Sequence, residues 1–563
     1  GWVSEGVGTY TVVVSAKSGA NSLLPFTLRI RSVDPAPAVA CKPAVPFGTA
    51  VTYPATGIDL VAAPVAAPTS PIAVIDRVAF QARYGAAATT SMWNSLVAFR
   101  TLPEGLPLRI ITLDTDPTYA AAIQARQANP CDLNSTFASV QRISNLIRTT
   151  KAANPGATSV ILVGSDEQLP MARVRDQAWT FNEAEFADEA VDGSPNPISV
   201  AAQQGYLLTD TPYGISVPTA AGQGTLMLPD MGVGRLVESP TQIQGQLDSY
   251  TAYAGMLRSA TKGFSYQQFG YGFLTDGTNA IGTNLAAGGG IESAGSAVND
   301  SWDGSAISGA TGPFAASGAP AVTVLNAHFD PRRLLAACGD PIVTPAPSCL
   351  TPLVGTGSTA GASLPGKLLM SLGCHSGLNV PNGYVPAGSP LAADWPESFS
   401  NQAASVWIGN TGYGYGDSDV VGYSEQLMSN FADQLTQARN SGLALVYAKQ
   451  RYLAGLSALS GIDQKVTAEA TLYGLPLWVS TTRAPAAIGR VTSTAQVGLP
   501  SVSSASLSFK FTTVASPRGT YDIPIDGTGV VGSVASVAAT PGEPLTPHLD
   551  YPFTQQAAPP IAG

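Results

Sequence analysis

The chain has 563 residues, of which 45% are hydrophobic and only 12% charged, and a net charge of −10. That balance excludes the basic footprint of a nucleic-acid binder, and no apolar run reaches the ~18 residues of a membrane helix. The charged share is about half the ~25% usual in soluble proteins. With 58 Gly and 44 Pro it describes a turn-rich chain with a polar, uncharged surface, which suggests a secreted or cell-surface protein. The length suggests several domains. The sequence starts at Gly1 with no visible leader, as a mature or internal piece would.

Residues 1–33 read as β structure: "GTYTVVVSA" and "LLPFTLRIRSV" flank the hairpin loop "KSGANS". Two strands are not a stable module alone, so this is a partial sandwich or a docked segment. Residues 34–70 are Pro/Ala-rich and read as an extended linker. From 71 to 484 short apolar runs alternate with helical patterns. "RIITLD", "SVILVG", "DMGVGRL", "YGFLTDG" (271–277), "AVTVLNAHFD" (321–330), "KLLMSLGC" (367–374) and "ASVWIGNTG" (404–412) are predicted strands. Helices are predicted near 138–153, after Ser239 as N-cap, and over "YSEQLMSNFADQLTQAR" and "GLALVYAKQRYLAGL". Such alternation implies an α/β fold, a mostly parallel sheet flanked by helices on both faces. Its site is expected at the carboxyl ends of strands, where Asp276, His328 and Cys374 fall. Residues 485–563 turn β-like again and suit a small immunoglobulin-like sandwich with an extended tail.

The five cysteines are Cys41, Cys131, Cys338, Cys349 and Cys374. Cys338 and Cys349 bracket a Pro-rich loop that a disulfide would close, and Cys41 with Cys131 is a second candidate pair. Cys374 is left over, as a partner for another chain or as a reactive thiol. A catalytic thiol needs a histidine to take its proton and return it to the leaving group. His375 is adjacent in sequence, but neighbouring side chains off a strand end diverge. His328 ends one buried strand as Cys374 ends another, and adjacent parallel strands would bring the two ends together. His548, the third histidine, lies in the tail. Most lone buried Cys and His residues are structural; here the pairing at successive strand ends favours chemistry. A metal centre is disfavoured, because Cys374–His375 supplies two adjacent ligands and no CxxC or HxxxH pattern supplies more.

Several motifs of this region, in order, resemble the catalytic domain of gingipain-type cysteine peptidases, which have a caspase-like fold. They are "SVILVGSDEQLP", "LLTDTPYG", "LPDMGVGRLVESPTQIQGQLDSYTAY", "VTVLNAHFD", "KLLMSLGCHSG" and "ATLYGLPLWVS". The resemblance implies an endopeptidase that acts on polypeptides through an acyl-enzyme and needs no cofactor. Cys374 would be the nucleophile, His328 the general base and acid, and Asp276 an acidic group that orients the histidine or binds substrate. The backbone N–H groups of Cys374 and Phe329 would hold the oxyanion. The loop "NTGYGYGDSDVVGYSE" would line the substrate pocket through Tyr415, Asp417 and Asp419, with the two carboxylates receiving a basic side chain; the alternatives for "DSD" are a structural Ca²⁺ site or a solvated turn. The sequence departs from the family at Ala327 and Phe329, where glycines flank the histidine, and at Leu475 and Ser165, where aspartates are usual.

Two other functions use the same features. A sortase-like transpeptidase would resolve the acyl-enzyme with an amine instead of water. A catalytically inactive structural or adhesive surface protein, part of a larger assembly, would keep the fold as a scaffold.

Overall fold

The computed structural model describes residues 70–480 apart from 102–106, 115, 187–195, 220–225, 259–263, 317–318, 338–351, 385–392, 418–419 and 438. Elsewhere it describes the backbone of paired strands. The chain divides into two compact units, one holding most of residues 40–490 and the other formed by residues 1–39, 177–180 and 491–563. In the smaller unit Thr9–Val14 pairs antiparallel with Ala505–Lys510. Phe26–Ser32 lies between Thr520–Ile525 and Leu545–His548, antiparallel to both. The two N-terminal strands therefore do not form the expected hairpin with each other; each takes partners from the C-terminal segment. Cys41, Cys338, Cys349 and the 34–70 linker except Ser70 lie outside the described residues.

The larger unit is a mixed α/β body built on an eleven-stranded sheet. Its main path runs Ile291–Glu292, Ser265–Gly270, Val322–Asn326, Leu368–Met370, Val406–Asn410, Ala470–Gly474, Gly232–Leu236, Ser159–Val163, Ile72–Ile75 and Arg109–Thr112. All neighbouring strands are parallel except Val406–Asn410 and Ala470–Gly474, which meet antiparallel. That one seam divides the sheet into two parallel blocks running in opposite directions, so their carboxyl ends emerge at opposite edges. Ile72–Ile75, Ser159–Val163, Val322–Asn326 and Val406–Asn410 are buried at every position. Successive side chains of a strand point to opposite faces, so these runs are covered on both faces, which is why they read as continuous hydrophobic stretches.

The helices begin where local chemistry dictates. Asp132 caps Leu133–Ala153 by accepting from the Asn134 and Ser135 amides. Ser239 and Gln242 form a capping box on Pro240–Ala252, with Pro at the first position. One expectation fails. The segment 271–277 is not a strand; Gly272–Leu274 is a 3₁₀ turn and Thr275 opens a helix running to Ala287. The strand is the preceding Ser265–Gly270, "SYQQFG", whose two glutamines hide it from a hydrophobic reading.

Arg235 ties the second block together. Its side chain is fully buried and bidentate on Asp210, at 2.7 and 2.6 Å. The same guanidinium donates to the carbonyls of Gly164 and Leu169, the first of which follows the neighbouring strand. Removing one partner of a buried ion pair strands the other charge and costs about 3–5 kcal/mol. Arg235→Met is therefore expected to lower the unfolding free energy by about that amount in a denaturant titration, and Arg235→Met combined with Asp210→Asn to recover part of it.

Candidate active site

The histidine segment starts from Val322–Asn326 and turns into a hairpin in which His328–Phe329 pairs antiparallel with Arg333–Leu335. Asp330 closes the turn, accepting from the Arg332 and Arg333 amides at 2.8 and 2.7 Å. The Asp330 N–H donates to Arg333 O at 2.9 Å. Bonded and non-bonded pairs alternate in an antiparallel ladder, so the next pair, Phe329 with Leu334, is non-bonded and the Phe329 N–H points away from its partner strand. The two side chains take opposite faces. Phe329 is 4% exposed and packs against Trp395, with ring centroids 5.5 Å apart. The bulk of Phe329 thus enters the core. His328 stacks on Phe273 at 5.0 Å and lies 5.9 Å from Tyr271. Burial pushes its pKa down and the charge of Asp300 pushes back, which favours a neutral ring at pH 7. Asp300 is positioned by the Gly272 N–H, which donates to it at 2.7 Å.

The cysteine segment leaves Leu368–Met370 and is pinned from both sides. The Leu372 N–H donates to Asn326 Oδ1 at 3.4 Å, and Leu372 O accepts from Asn410 Nδ2 at 2.9 Å. His375 has φ of 52°, a left-handed conformation that costs a non-glycine residue energy. Its amide donates to Gly412 O at 2.7 Å. Its ring lies 2.9 Å from Glu183 Oε2, stacks on Phe186 at 3.4 Å and meets Tyr413 edge-on at 4.6 Å. Glu183 in turn faces Lys465 Nζ at 2.7 Å and accepts from the Tyr413 N–H at 2.9 Å. Burial opposes the Glu183 charge, but Lys465 and then His375 hold its pKa down, to about 2. His375 is committed to this buried network.

Cys374 is a free thiol. Its S–H is directed to Gly414 O at 3.8 Å. Burial pushes its pKa up to about 11, with Glu469 and Glu183 adding to the rise against the Gly414 contact and Lys465. The amides of Leu372, Gly373, His375, Ser376, Gly377 and Leu378 all donate. Among the described residues the Cys374 N–H finds no acceptor.

The strands fix how the two segments meet. Val322 pairs with Leu368, Thr323 with Leu369 and Val324 with Met370. His328 and Cys374 each lie six residues beyond the first of these pairs, past the strand ends at Asn326 and Met370, on the segments that leave neighbouring strands. Their flanks touch: a methyl at Gly373 would come within 2.5 Å of the Phe329 ring and 2.7 Å of Ala327 O. Only glycine permits that approach.

The other expected residues are distributed differently. Asp276 is exposed in the first turn of Thr275–Ala287. Tyr415 is 7% exposed, with its hydroxyl donating to Phe181 O at 3.1 Å, so its side chain supports the loop instead of lining an open pocket. Asp417 is half-buried; its amide donates to Glu425 and its Oδ1 accepts from the Val420 N–H. Asp419 lies outside the described residues. Cys131 is disulfide-bonded. Among the described residues no group of three or more His, Cys, Asp or Glu side chains is arranged to hold a metal ion, and no helix is long and apolar enough to cross a membrane. The sequence reading missed Asp300, Glu183 and Lys465. Lys465 alone carried a signal, as the one cation at the head of the weakly charged stretch "KVTAEATLYG".

No family model matches the chain, and no curated protein does. Among solved structures, the complex of the pro- and mature domains of Porphyromonas gingivalis RgpB is similar at 12% identity and a TM-score of 0.45, covering 74% of this chain and 81% of that one. The Arg-specific cysteine proteinase gingipain R matches at 12% and 0.43, covering 74% and 80%. A structure described as a protease matches at 11% and 0.44, covering 74% and 79%. At these identities and scores the likeness assigns neither family nor activity to this chain.

A thiol with a pKa of about 11 is almost wholly protonated at neutral pH. Alkylation of Cys374 by iodoacetamide in the folded protein is expected to rise about tenfold per pH unit from 7 to 9 without a plateau. Peptide mapping by mass spectrometry against time measures this; a plateau near pH 7 would show a low-pKa thiolate instead.

Proposed function

We propose that the chain is a cysteine endopeptidase in which Cys374 is the nucleophile and His328 the general base and acid. The observation that carries this reading is that the two residues follow neighbouring parallel strands on segments whose flanks come together at Gly373 and Phe329. The uncommitted Cys374 N–H and the outward Phe329 N–H support it as oxyanion donors.

The reaction follows from these groups. The neutral His328 ring takes the Cys374 proton as Sγ attacks the scissile carbonyl carbon. The carbonyl oxygen becomes an oxyanion held by the two amides. Collapse breaks the C–N bond, and the leaving nitrogen takes the proton from His328. Water, deprotonated by the same ring, then hydrolyses the thioester. Because the resting thiol is protonated, the proton moves during attack instead of before it. Asp300 stabilises the imidazolium that forms, the part first given to Asp276. The reading extends to a caspase-like peptidase domain over 71–484, an immunoglobulin-like module over 485–563, and disulfides Cys338–Cys349 and Cys41–Cys131 in a secreted or surface protein. Replacement of water by an amine would make the same acyl-enzyme a transpeptidase.

The high thiol pKa favours a second reading, a scaffold that keeps the fold without catalysis. A peptide carrying a thiol-directed electrophile distinguishes them. The first reading expects stoichiometric labelling at Cys374, absent in Cys374→Ala, and peptide cleavage abolished by the same substitution. If Cys374 stays unlabelled while the protein is folded, the scaffold reading stands.

A further inference from the structure

The geometry points to an aromatic subsite built on Phe181, which selects an apolar side chain in one of the two residues preceding the scissile bond. This rests on Cys374 being the nucleophile. Phe181 is 45% exposed, yet it is held rigidly. Its φ is 50°, in the left-handed region. Two groups clamp its carbonyl: Lys465 Nζ donates at 2.7 Å and the Tyr415 hydroxyl at 3.1 Å. A strained residue that the surroundings over-determine, with a large apolar ring left facing solvent, points to use of that ring.

The ring sits beside the loop that meets the thiol. Phe181 lies 5.6 Å from the Tyr413 ring and 6.4 Å from the Tyr415 ring. Gly414, between those two tyrosines, accepts the Cys374 S–H. The half-buried Tyr413 is fixed through its amide by Glu183. Phe181 and Tyr413 thus offer an apolar face beside a loop whose backbone is in contact with the nucleophile.

The charges around this mount argue against a basic side chain. Lys465 lies 2.8 Å from Asp176 and 2.7 Å from Glu183, so both carboxylates are already paired. Asp417 Oδ1 accepts from the Val420 amide within its own loop. A cationic substrate group would lose hydration here and meet carboxylates with other commitments, whereas a phenyl or isobutyl group would gain contact with two aromatic rings.

The test is a panel of fluorogenic peptides varied at the two positions before the bond through Phe, Leu, Arg and Asp. The native protein is expected to prefer Phe or Leu over Arg by about tenfold or more in kcat/KM at one position. Phe181→Ala should reduce that preference to about twofold, mainly through KM, while Phe181→Trp keeps it and iodoacetamide uptake by Cys374 is unchanged in both. A preference for Arg, or an equal loss for all peptides in Phe181→Ala, overturns the subsite and leaves the nucleophile intact. No cleavage of any peptide, with no electrophile uptake at Cys374, overturns the peptidase reading and the subsite with it.

Discussion

The parallel pairing of Val322–Asn326 with Leu368–Met370 is the constraint on which the candidate site depends. A shift of one residue would turn every side chain of a strand to the opposite face. Both strands are buried at all positions, so no such slip leaves the core intact. The register therefore sets the segments that carry His328 and Cys374 beside each other as they leave the two strands, and the close approach of Gly373 to Phe329 and Ala327 holds those segments together. The core is part of the apparatus here: Phe329 and Trp395 pack beneath the same hairpin that presents the histidine.

Around the thiol, a chain poor in charge concentrates ionic groups in its interior. Glu183, Lys465 and Asp176 are buried and paired, and through His375 and the Tyr413 amide they hold the thiol turn against the loop 412–415. Such networks seldom add much net stability, but breaking one is costly because the remaining charge is stranded. Their value at this position is geometric. They fix two residues in left-handed conformations, Phe181 and His375, beside the loop whose Gly414 carbonyl accepts a hydrogen bond from the Cys374 S–H. The same burial raises the thiol pKa and lowers that of His328, so Cys374 rests as a thiol and the His328 ring as a neutral imidazole.

The alternation of buried strands with capped helices was legible because parallel strands covered on both faces become continuous apolar runs. The Ser239 N-cap and the Val322 and Leu368 strands are examples. Ser265–Gly270 was not legible, since its glutamines are buried through tertiary hydrogen bonds such as that from Gln267 to Thr311 O. Nor was the antiparallel seam, because pairing direction leaves no trace in a five-residue apolar strand. At the site, Cys374 and His328 stood out by residue type and position. Asp300 and Glu183 did not, because one reaches the site from a turn and the other from the short helix Glu183–Phe186, and only the fold relates them to it. Tyr415 stood in the expected loop, but its direction was unreadable.

The central claim is that His328 and Cys374 act in one reaction, and single-turnover acylation tests it most directly. The rate at which Cys374 takes up a peptide thioester-forming substrate should fall by about 100-fold or more in His328→Ala, the usual contribution of a positioned general base. Alkylation of the same thiol by iodoacetamide, and the unfolding free energy, should change little. An acylation rate in His328→Ala equal to that of the native protein would contradict the account.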